Sequence, residues 1–294
     1  LQAGYTNFRY LSKESKEIAD REALLGVSIT GWMNNPDVLF KDEVMKKGAE
    51  LVKEMNKVVA DLIGIRQAAR TTCVKPSGNA SVLLGTASGI HGEHAPRYIR
   101  HVQMNKDTDI AKILEETNPS LLEESVWSAN KTDYVVAFPV ISKEGSVYKK
   151  DLYGVKQLEY VKKAQQVWVE HGTNEHLSTI KELRHNVSNT ISVDNWEEVA
   201  KYVWENRKWF AGISFLSISG DKDYAQAPFT EVLTAEQLVE QYGPASMFAS
   251  GLIVSGVDAF AELWNACDHV LMSKEKVFEI LGQPSHENVL QYDF

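Results

Sequence analysis

Cysteine is scarce in this sequence, with only Cys73 and Cys267 among 294 residues. Two cysteines are too few for a disulfide framework and too few for a structural zinc site with four thiolate ligands. Both are interpreted as small apolar side chains of the interior rather than as redox groups, because buried free cysteine is common in protein cores. The low cysteine content fits a reducing compartment, and we expect a cytoplasmic protein.

Long apolar runs and an excess of basic residues are missing as well. The longest apolar runs, such as Val135–Phe138 and Gly251–Val254, fall far short of the roughly 20 residues that a membrane-spanning helix needs. Thirty-one Lys and Arg residues stand against forty Asp and Glu residues, which leaves a net charge of −9. This balance argues against a broad surface for nucleic acids or anionic membranes, although it is compatible with a local basic pocket.

The N-terminal residues Leu1–Tyr5 contain no basic segment followed by an apolar one, so we predict no signal peptide. Because the sequence begins without Met, we expect it to be part of a longer polypeptide. Hydrophobic residues make up 44% of the sequence, which is enough for an ordinary core. No repeat or long linker divides it, and we predict a single fragment over residues 1–294 with no internal boundary.

Helical periodicity is clearest over Asp42–Ile65, where apolar residues recur at spacings of three and four, and one face of this helix is expected to enter a core. Further helices are predicted over Val155–His171, from a capping box at Asp194–Glu197 to about Trp209, and after Thr234. Short segments rich in β-branched or aromatic residues lie between the helices. They are Gly26–Thr30, Thr71–Val74, Tyr134–Phe138, Val187–Val193 and Gly212–Leu216. This alternation predicts an α/β architecture with largely parallel strands.

A strand, a turn of small residues and a helix follow one another around Lys75-Pro-Ser-Gly-Asn-Ala-Ser81. Free N–H groups at the start of a helix point outward, and residues without bulk let a phosphate approach them. The dipole of a helix contributes only about 0.3–1 kcal/mol, so several amide hydrogen bonds must carry most of the binding. The sequence therefore indicates an anion-binding turn, the 76–81 loop, formed by Pro76, Ser77, Gly78, Asn79, Ala80 and Ser81.

The same pattern has a purely structural interpretation, in which Ser77 or Asn79 caps a tight turn between strand and helix. It is not a Walker loop, because the required order of Gly, Lys and Ser or Thr is absent. Spacing alone leaves both interpretations open. The nearby segment His91-Gly-Glu-His94 lacks the helical His-Glu-x-x-His spacing of a zinc site, and its glycine interrupts any helix, so we predict no metal site.

Several short motifs around the loop occur in a family-specific order. They are Gly26–Gly31, Ser88–His91, Arg97–Arg100, Val135–Pro139, Asn186–Ser192 and Ala211–Leu216. With the 76–81 loop they resemble the large catalytic chain of adenosylcobalamin-dependent (class II) ribonucleotide reductases, and most closely the ribonucleoside-triphosphate reductases. The resemblance covers residues 20–265.

The resemblance implies the C-terminal half of a ten-stranded α/β barrel, which in this family encloses a finger loop with a cysteine thiyl radical. The turn that matches Pro76–Ala80 binds the substrate phosphates in that family, and Ser81 adjoins it. The implied cofactor is adenosylcobalamin. The implied partners are a ribonucleotide substrate, the complementary N-terminal half of the reductase and a thioredoxin-like reductant.

The sequence departs from the family in the residues of radical chemistry. The family's radical cysteine lies in an Asn-Pro-Cys-x-Glu type of motif, and the nearest strings here are Asn35-Pro36-Asp37 and Asn118-Pro119-Ser120. Cys73 and Cys267 do not match the second pair of cysteines that reduces the ribose. We therefore expect no catalytic residue and no metal ligand in this chain, and no activity without the N-terminal half. No residue is assigned to the corrin.

Two alternatives to a class II reductase stay open. An iron-dependent class I large chain shares the barrel, and a non-catalytic nucleotide-binding module would also lack the radical cysteines. The glycyl-radical pattern Arg-Val-x-Gly-Tyr of class III does not occur near the C-terminus. The choice of a triphosphate over a diphosphate substrate rests on the similarity of the 76–81 loop.

Overall fold

The computed structural model of the protein describes residues 2–78, 80–218 and 226–232. These residues form two compact units. Unit 1 contains the described residues up to 93 together with 142–218, and unit 2 contains 94–141 together with 226–232. The predicted helix after Thr234, the second cysteine Cys267 and the loop residue Asn79 lie outside the described residues. The single fragment over residues 1–294 concerns the whole chain and stays a prediction.

The helices and strands of the described residues have the following bounds. The α-helices are α1 (Lys13–Glu22), α2 (Pro36–Leu39), α3 (Asp42–Ile63), α4 (Ala80–Leu83), α5 (Asp109–Thr117), α6 (Gly154–Ala164) and α7 (Trp196–Glu205). The strands are β1 (Arg97–Asn105), β2 (Leu122–Glu124), β3 (Asp133–Ile141), β4 (Asn189–Val193), β5 (Ile213–Ser217) and β6 (Phe229–Glu231). None of the described helices is both long and apolar enough to cross a membrane.

Unit 1 combines helices with parallel strands, and the predicted mixed α/β content is confirmed. Strands β4 and β5 pair in parallel along their whole length. The predicted strands Gly26–Thr30 and Thr71–Val74 are present only as isolated parallel bridges, from Val27 to Thr72 and from Val74 to Val187. The sheets of the described residues have two and four strands and do not close on themselves, so the half of a ten-stranded barrel stays a prediction.

Unit 2 is built on an antiparallel sheet with the strand order β2-β3-β1-β6. Its longest pairing joins β1 to β3, with Arg97 opposite Ile141 and Asn105 opposite Asp133. The predicted strand Tyr134–Phe138 lies in β3, so the largely parallel arrangement does not extend to it. A parallel pair needs a crossover of a dozen or more residues, whereas only residues 125–132 connect β2 to β3.

Helix α3 confirms the predicted helix but exposes half of its apolar residues. It ends one residue before Gly64, whose φ of 70° makes the left-handed cap that glycine favours. Met45 and Ala49 are buried in the core of unit 1. A second set of apolar side chains is exposed: Val44, Leu51, Met55, Val58 and Leu62. Because these five also recur at helical spacing, they form a second apolar side of the helix that does not enter the core.

The other predicted helices of unit 1 are present with shifted ends. The segment Val155–His171 is formed by α6 and by a π-helical turn, Gln165–Val169, that continues it. Helix α7 is capped by Asn195, whose side-chain oxygen accepts from the Glu198 N–H at 3.2 Å. It ends at Glu205, where a 3₁₀ turn follows instead of the predicted continuation.

Trp168, in the π-helical turn, forms two hydrogen bonds with the buried segment 71–74, which leads into the 76–81 loop. Its indole N–H donates to the Cys73 carbonyl at 2.9 Å. Its own carbonyl accepts from the Thr72 hydroxyl at 2.7 Å. The segment is fully buried, and burial raises the pKa of the Cys73 thiol. The thiol is therefore protonated at neutral pH and packs as an apolar group, in agreement with the sequence.

Candidate functional site

The 76–81 loop follows the buried segment 71–74 and leads into helix α4. Ser77 organises it. The Ser77 N–H donates to the Ser88 hydroxyl at 2.7 Å, and the Ser77 side-chain oxygen accepts from the Ser81 N–H at 2.8 Å. The second of these bonds is the cap that the sequence offered as its structural alternative. The cap and an anion site are not exclusive, because the cap uses only part of the loop's amide groups.

Two amide groups of the loop remain open. Pro76 has no N–H, and Ser77 and Ser81 use theirs inside the protein. The N–H groups of Gly78 and Ala80 form no hydrogen bond with any described residue. Both residues are exposed, and no atom lies within 4 Å of the position that a Gly78 side chain would occupy. The described part of the predicted site therefore contains two donors, at Gly78 and Ala80, that are open to an incoming anion.

Lys75 adds positive charge next to these donors. Its side chain is exposed and forms no ion pair within the described residues. Its main-chain N–H donates to the Ser28 hydroxyl at 3.0 Å, which ties the start of the loop to the neighbouring segment 26–30. An exposed ammonium group that pairs with none of the described residues is available to a phosphate, although each such contact in water is weak.

The segment Ser88–His91 lies beneath the loop and connects it to β4. The ring nitrogen Nδ1 of His91 lies 2.9 Å from the Ser88 carbonyl, and Nε2 lies 3.2 Å from the Thr190 N–H. Because Nε2 faces a donor, the proton of the neutral ring resides on Nδ1. Burial lowers the pKa of His91, and the nearby Lys149 acts in the same direction. This histidine is therefore neutral at physiological pH.

A buried amide network supports the same segment from the sheet side. The Asn189 side chain donates to the Ile90 carbonyl at 3.0 Å. The Gln157 side chain donates to the Asn189 side chain at 2.6 Å and to the Thr190 carbonyl at 2.9 Å. The family motif Asn186–Ser192 contained Asn189 and Thr190, but Gln157 carried no signal in the sequence, because its role depends on residues 32 and 33 positions away.

The segment His91–Glu93 is fixed by hydrogen bonds that leave little for a metal. The Glu93 carboxylate accepts from the Asn34 side chain at 2.8 Å, and the Asn34 side-chain oxygen accepts from the Ala87 N–H at 2.8 Å. Both nitrogens of His91 are used as described above. Among the described residues, no cluster of three His, Cys, Asp or Glu side chains could hold a metal ion.

We expect acid to destabilise the protein through His91. The unfolded histidine takes up a proton near pH 6.5, whereas the folded one has a lowered pKa. The unfolded state therefore binds more protons below this pH, and the free energy of unfolding falls until the pH drops through the folded pKa. His185, whose pKa burial also lowers, acts in the same direction.

Denaturant unfolding of the wild type and of His91→Asn between about pH 7 and pH 5 measures this effect. The variant should lose less free energy of unfolding on acidification than the wild type, because asparagine does not titrate. The difference between the two proteins cancels the contributions of His185 and of the carboxylates. Equal pH slopes would refute the neutral, hydrogen-bonded His91.

Three cavities in the described part of the chain measure about 380, 510 and 580 Å³. None of these three is lined by a residue of the 76–81 loop. They therefore give no position for a cofactor beside the loop. The described residues offer no feature that identifies a corrin site.

Comparisons with known proteins agree with the resemblance found in the motifs. No family model matches the chain. The chain is 25% identical over 235 residues to the adenosylcobalamin-dependent ribonucleoside-triphosphate reductase of Euglena gracilis, covering 78% of this chain and 30% of the relative. It is 25% identical over 190 residues to the probable adenosylcobalamin-dependent ribonucleoside-triphosphate reductase of Dictyostelium discoideum, covering 63% of this chain and 23% of the relative.

A solved structure has a similar fold. The crystal structure of a B-12 dependent (class II) ribonucleotide reductase superposes with a TM-score of 0.60 and 16% identity. The match covers 85% of this chain and 36% of that chain. The chain thus spans less than a third of the length of the curated relatives and about a third of the solved one. The predicted resemblance to class II reductases is confirmed.

Proposed function

We propose that this chain supplies the substrate-phosphate site of an adenosylcobalamin-dependent ribonucleotide reductase, which converts ribonucleotides to 2′-deoxyribonucleotides. The observation that carries the proposal is the pair of amide groups at Gly78 and Ala80, which form no hydrogen bond with any described residue in a loop that follows the exposed Lys75. The similarity to two ribonucleoside-triphosphate reductases favours a triphosphate substrate over a diphosphate. Asn79 belongs to the proposed site as the sequence predicts it, and Ser81 contributes by holding Ser77 through its N–H and its hydroxyl.

The loop would act by binding and orientation. Phosphate oxygens accept hydrogen bonds from the N–H groups of Gly78 and Ala80, and the Lys75 ammonium neutralises part of their charge. Binding energy from the phosphates, which do not react, fixes the ribose in place and lowers the entropic cost of the reaction. The loop thus needs rigidity and open donors, and it needs no group that exchanges protons.

The radical step would use groups outside the described residues. Cys73 is buried with a raised pKa and lies in no Asn-Pro-Cys motif, which makes it unsuited to a thiyl radical or to reduction of the ribose. Adenosylcobalamin, when bound, supplies the radical that starts the reaction in this proposal. The remaining part of the reductase would supply the cysteines and the other half of the barrel, and a thioredoxin-like protein would restore them.

Isothermal titration of the chain with ATP and with adenosine tests the phosphate site. We expect ATP to bind at least tenfold more tightly than adenosine, because the open amides and Lys75 contact only the phosphates. Higher salt should weaken ATP binding and leave adenosine binding unchanged, because the contribution is electrostatic. Equal affinities for ATP and adenosine, or no binding of ATP, would remove the phosphate site from the 76–81 loop.

A non-catalytic nucleotide-binding module is the second candidate, because the sequence lacks an Asn-Pro-Cys motif. Both candidates predict the ATP site. They differ in whether a reconstituted enzyme produces deoxynucleotide. Addition of the complementary reductase segment, adenosylcobalamin and a dithiol should produce deoxynucleotide if the chain is part of a class II reductase. A reconstituted enzyme that works without cobalamin would instead indicate class I, and failure to produce deoxynucleotide would favour the binding module.

A further inference from the structure

We propose that Ser88 and His91 are positioning residues that aim the Gly78 N–H at the substrate phosphate. The inference rests on the proposed function of the 76–81 loop and adds residues outside that loop to the site. The first observation is a pair of hydrogen bonds between one hydroxyl group and Ser77. The Ser88 side chain accepts from the Ser77 N–H at 2.7 Å and donates to the Ser77 carbonyl at 2.9 Å.

These two bonds fix the peptide groups on both sides of Ser77. The Ser77 carbonyl also accepts from the Ser81 hydroxyl at 2.8 Å, so two hydroxyl groups hold one carbonyl oxygen. A trans peptide group is planar, and its C=O and N–H point in opposite directions. The peptide between Ser77 and Gly78 is trans. Holding the Ser77 oxygen on the protein side therefore turns the Gly78 N–H away from the protein.

Because residue 78 is glycine, the direction of its N–H depends strongly on the hydroxyl bonds to Ser77. Glycine has the largest range of backbone conformations and loses the most entropy when it is ordered. No atom lies within 4 Å of its side-chain position, so packing does not restrict it. Without the hydroxyl bonds to Ser77, the Gly78 N–H would point in many directions, and a phosphate would have to order it on binding.

Ser88 is itself tied to the sheet through His91. The Ser88 carbonyl accepts from His91 Nδ1 at 2.9 Å, and His91 Nε2 accepts from the Thr190 N–H in β4 at 3.2 Å. The charged group that acts on this ring is Lys149, while β4 carries no charged side chain. Gly89 allows the close turn between Ser88 and His91, with a φ of 53° and a side-chain position only 3.3 Å from the Lys75 carbonyl. The loop is thus connected to a parallel strand by two side chains.

The test compares Ser88→Ala with Ser88→Thr and with Ser178→Ala. Ser178 is a buried serine of unit 1 whose hydroxyl donates to Asn174 within its own turn, so its variant controls for loss of a buried hydroxyl. Loss of one positioning hydroxyl is expected to weaken ATP binding about threefold to tenfold. Ser88→Thr keeps the hydroxyl and should restore most of the affinity, and Ser178→Ala should bind like the wild type. His91→Asn, which loses only the bond to Thr190, should have an ATP affinity between those of the wild type and Ser88→Ala.

Nuclear spin relaxation of the Gly78 amide separates this inference from the proposed function. We expect a backbone order parameter of about 0.8 in the wild type and in Ser178→Ala, and below about 0.6 in Ser88→Ala. An unchanged order parameter in Ser88→Ala would overturn the positioning role, even if the wild type binds ATP. ATP affinity that survives the loss of the Ser88 hydroxyl, or that Ser88→Thr does not restore, would overturn it as well. A rigid wild-type Gly78 that becomes mobile in Ser88→Ala, in a chain that binds no ATP, would contradict the proposed function instead.

Discussion

Gly172→Ala is expected to destabilise the fold strongly, with a free energy of unfolding about 3 kcal/mol below that of the wild type. A side-chain carbon at this position would lie 1.8 Å from the Thr72 hydroxyl oxygen and 2.7 Å from the Thr72 Cβ and Cγ2 atoms. Neither element can move aside easily. Thr72 is 1% exposed, and its hydroxyl donates to the Trp168 carbonyl at 2.7 Å.

The contact at Gly172 joins the end of the π-helical turn to the segment 71–74, which leads into the 76–81 loop. The Gly172 carbonyl accepts from the Thr71 N–H at 2.9 Å and from the Thr71 hydroxyl at 2.8 Å. An added methyl group therefore pushes apart two main-chain segments that are hydrogen-bonded at the same point. Because the segment 71–74 is buried, relief requires a shift of the core rather than of a surface side chain.

Urea unfolding of Gly172→Ala measures this effect, with Gly4→Ala as the control. Gly4 has no atom within 4 Å of its side-chain position, so its variant tests the general effect of replacing glycine by alanine. We expect the control to stay within about 0.5 kcal/mol of the wild type. A Gly172→Ala protein within about 1 kcal/mol of the wild type would show that the segment 71–74 and the helix are not packed as described.

Local pattern predicts much of unit 1 and little of unit 2. The period of α3 and the short β-branched segments of unit 1 each follow from neighbouring residues. Helix α3 and the strands β4 and β5 are present, whereas the segments 26–30 and 71–74 form isolated bridges only. The antiparallel sheet of unit 2 depends on pairings such as Arg97 with Ile141, which no local period encodes. The apolar residues of α3 also could not be assigned to one buried and one exposed side from the sequence. The buried and the exposed apolar residues of α3 recur with the same helical spacing.

In the candidate site, too, local sequence predicted some features and not others. Residue types predicted an anion-binding turn at residues 76–81 or a cap by Ser77 or Asn79, and the described geometry contains a cap by Ser77 together with two amides that bond to no described residue. The roles of Ser88 and His91 could not be assigned from their motif, because they depend on Ser77 and on Thr190, which lies 99 residues beyond His91. Residue type identifies an anion-binding turn, whereas the direction of its amide groups depends on contacts made with residues distant in the sequence.

Gly78→Val is expected to weaken ATP binding at least tenfold while the fold is retained. The side-chain position of Gly78 is open, and its φ lies outside the left-handed region, so valine adds no clash and no backbone strain. The isopropyl group would stand beside the open N–H and keep phosphate oxygens beyond hydrogen-bond distance. Loss of about one charge-assisted hydrogen bond corresponds to roughly 1.5–3 kcal/mol, which is a tenfold to hundredfold loss of affinity.

The control for this variant is Gly4→Val, which places the same side chain at an exposed glycine of the same unit. It should bind ATP like the wild type. Thermal unfolding of both variants should match the wild type within a few degrees, because neither position touches the core. A loss of affinity shared by both variants would point to a general effect of added bulk rather than to the loop.

The dissociation constant of ATP for folded Gly78→Val, relative to the wild type, tests the central claim most directly. We predict a ratio of ten or more, with adenosine affinity unchanged. A ratio near one in a variant as stable as the wild type would mean that the phosphates do not contact the main chain at Gly78. The chain would then not contribute a phosphate site through this loop.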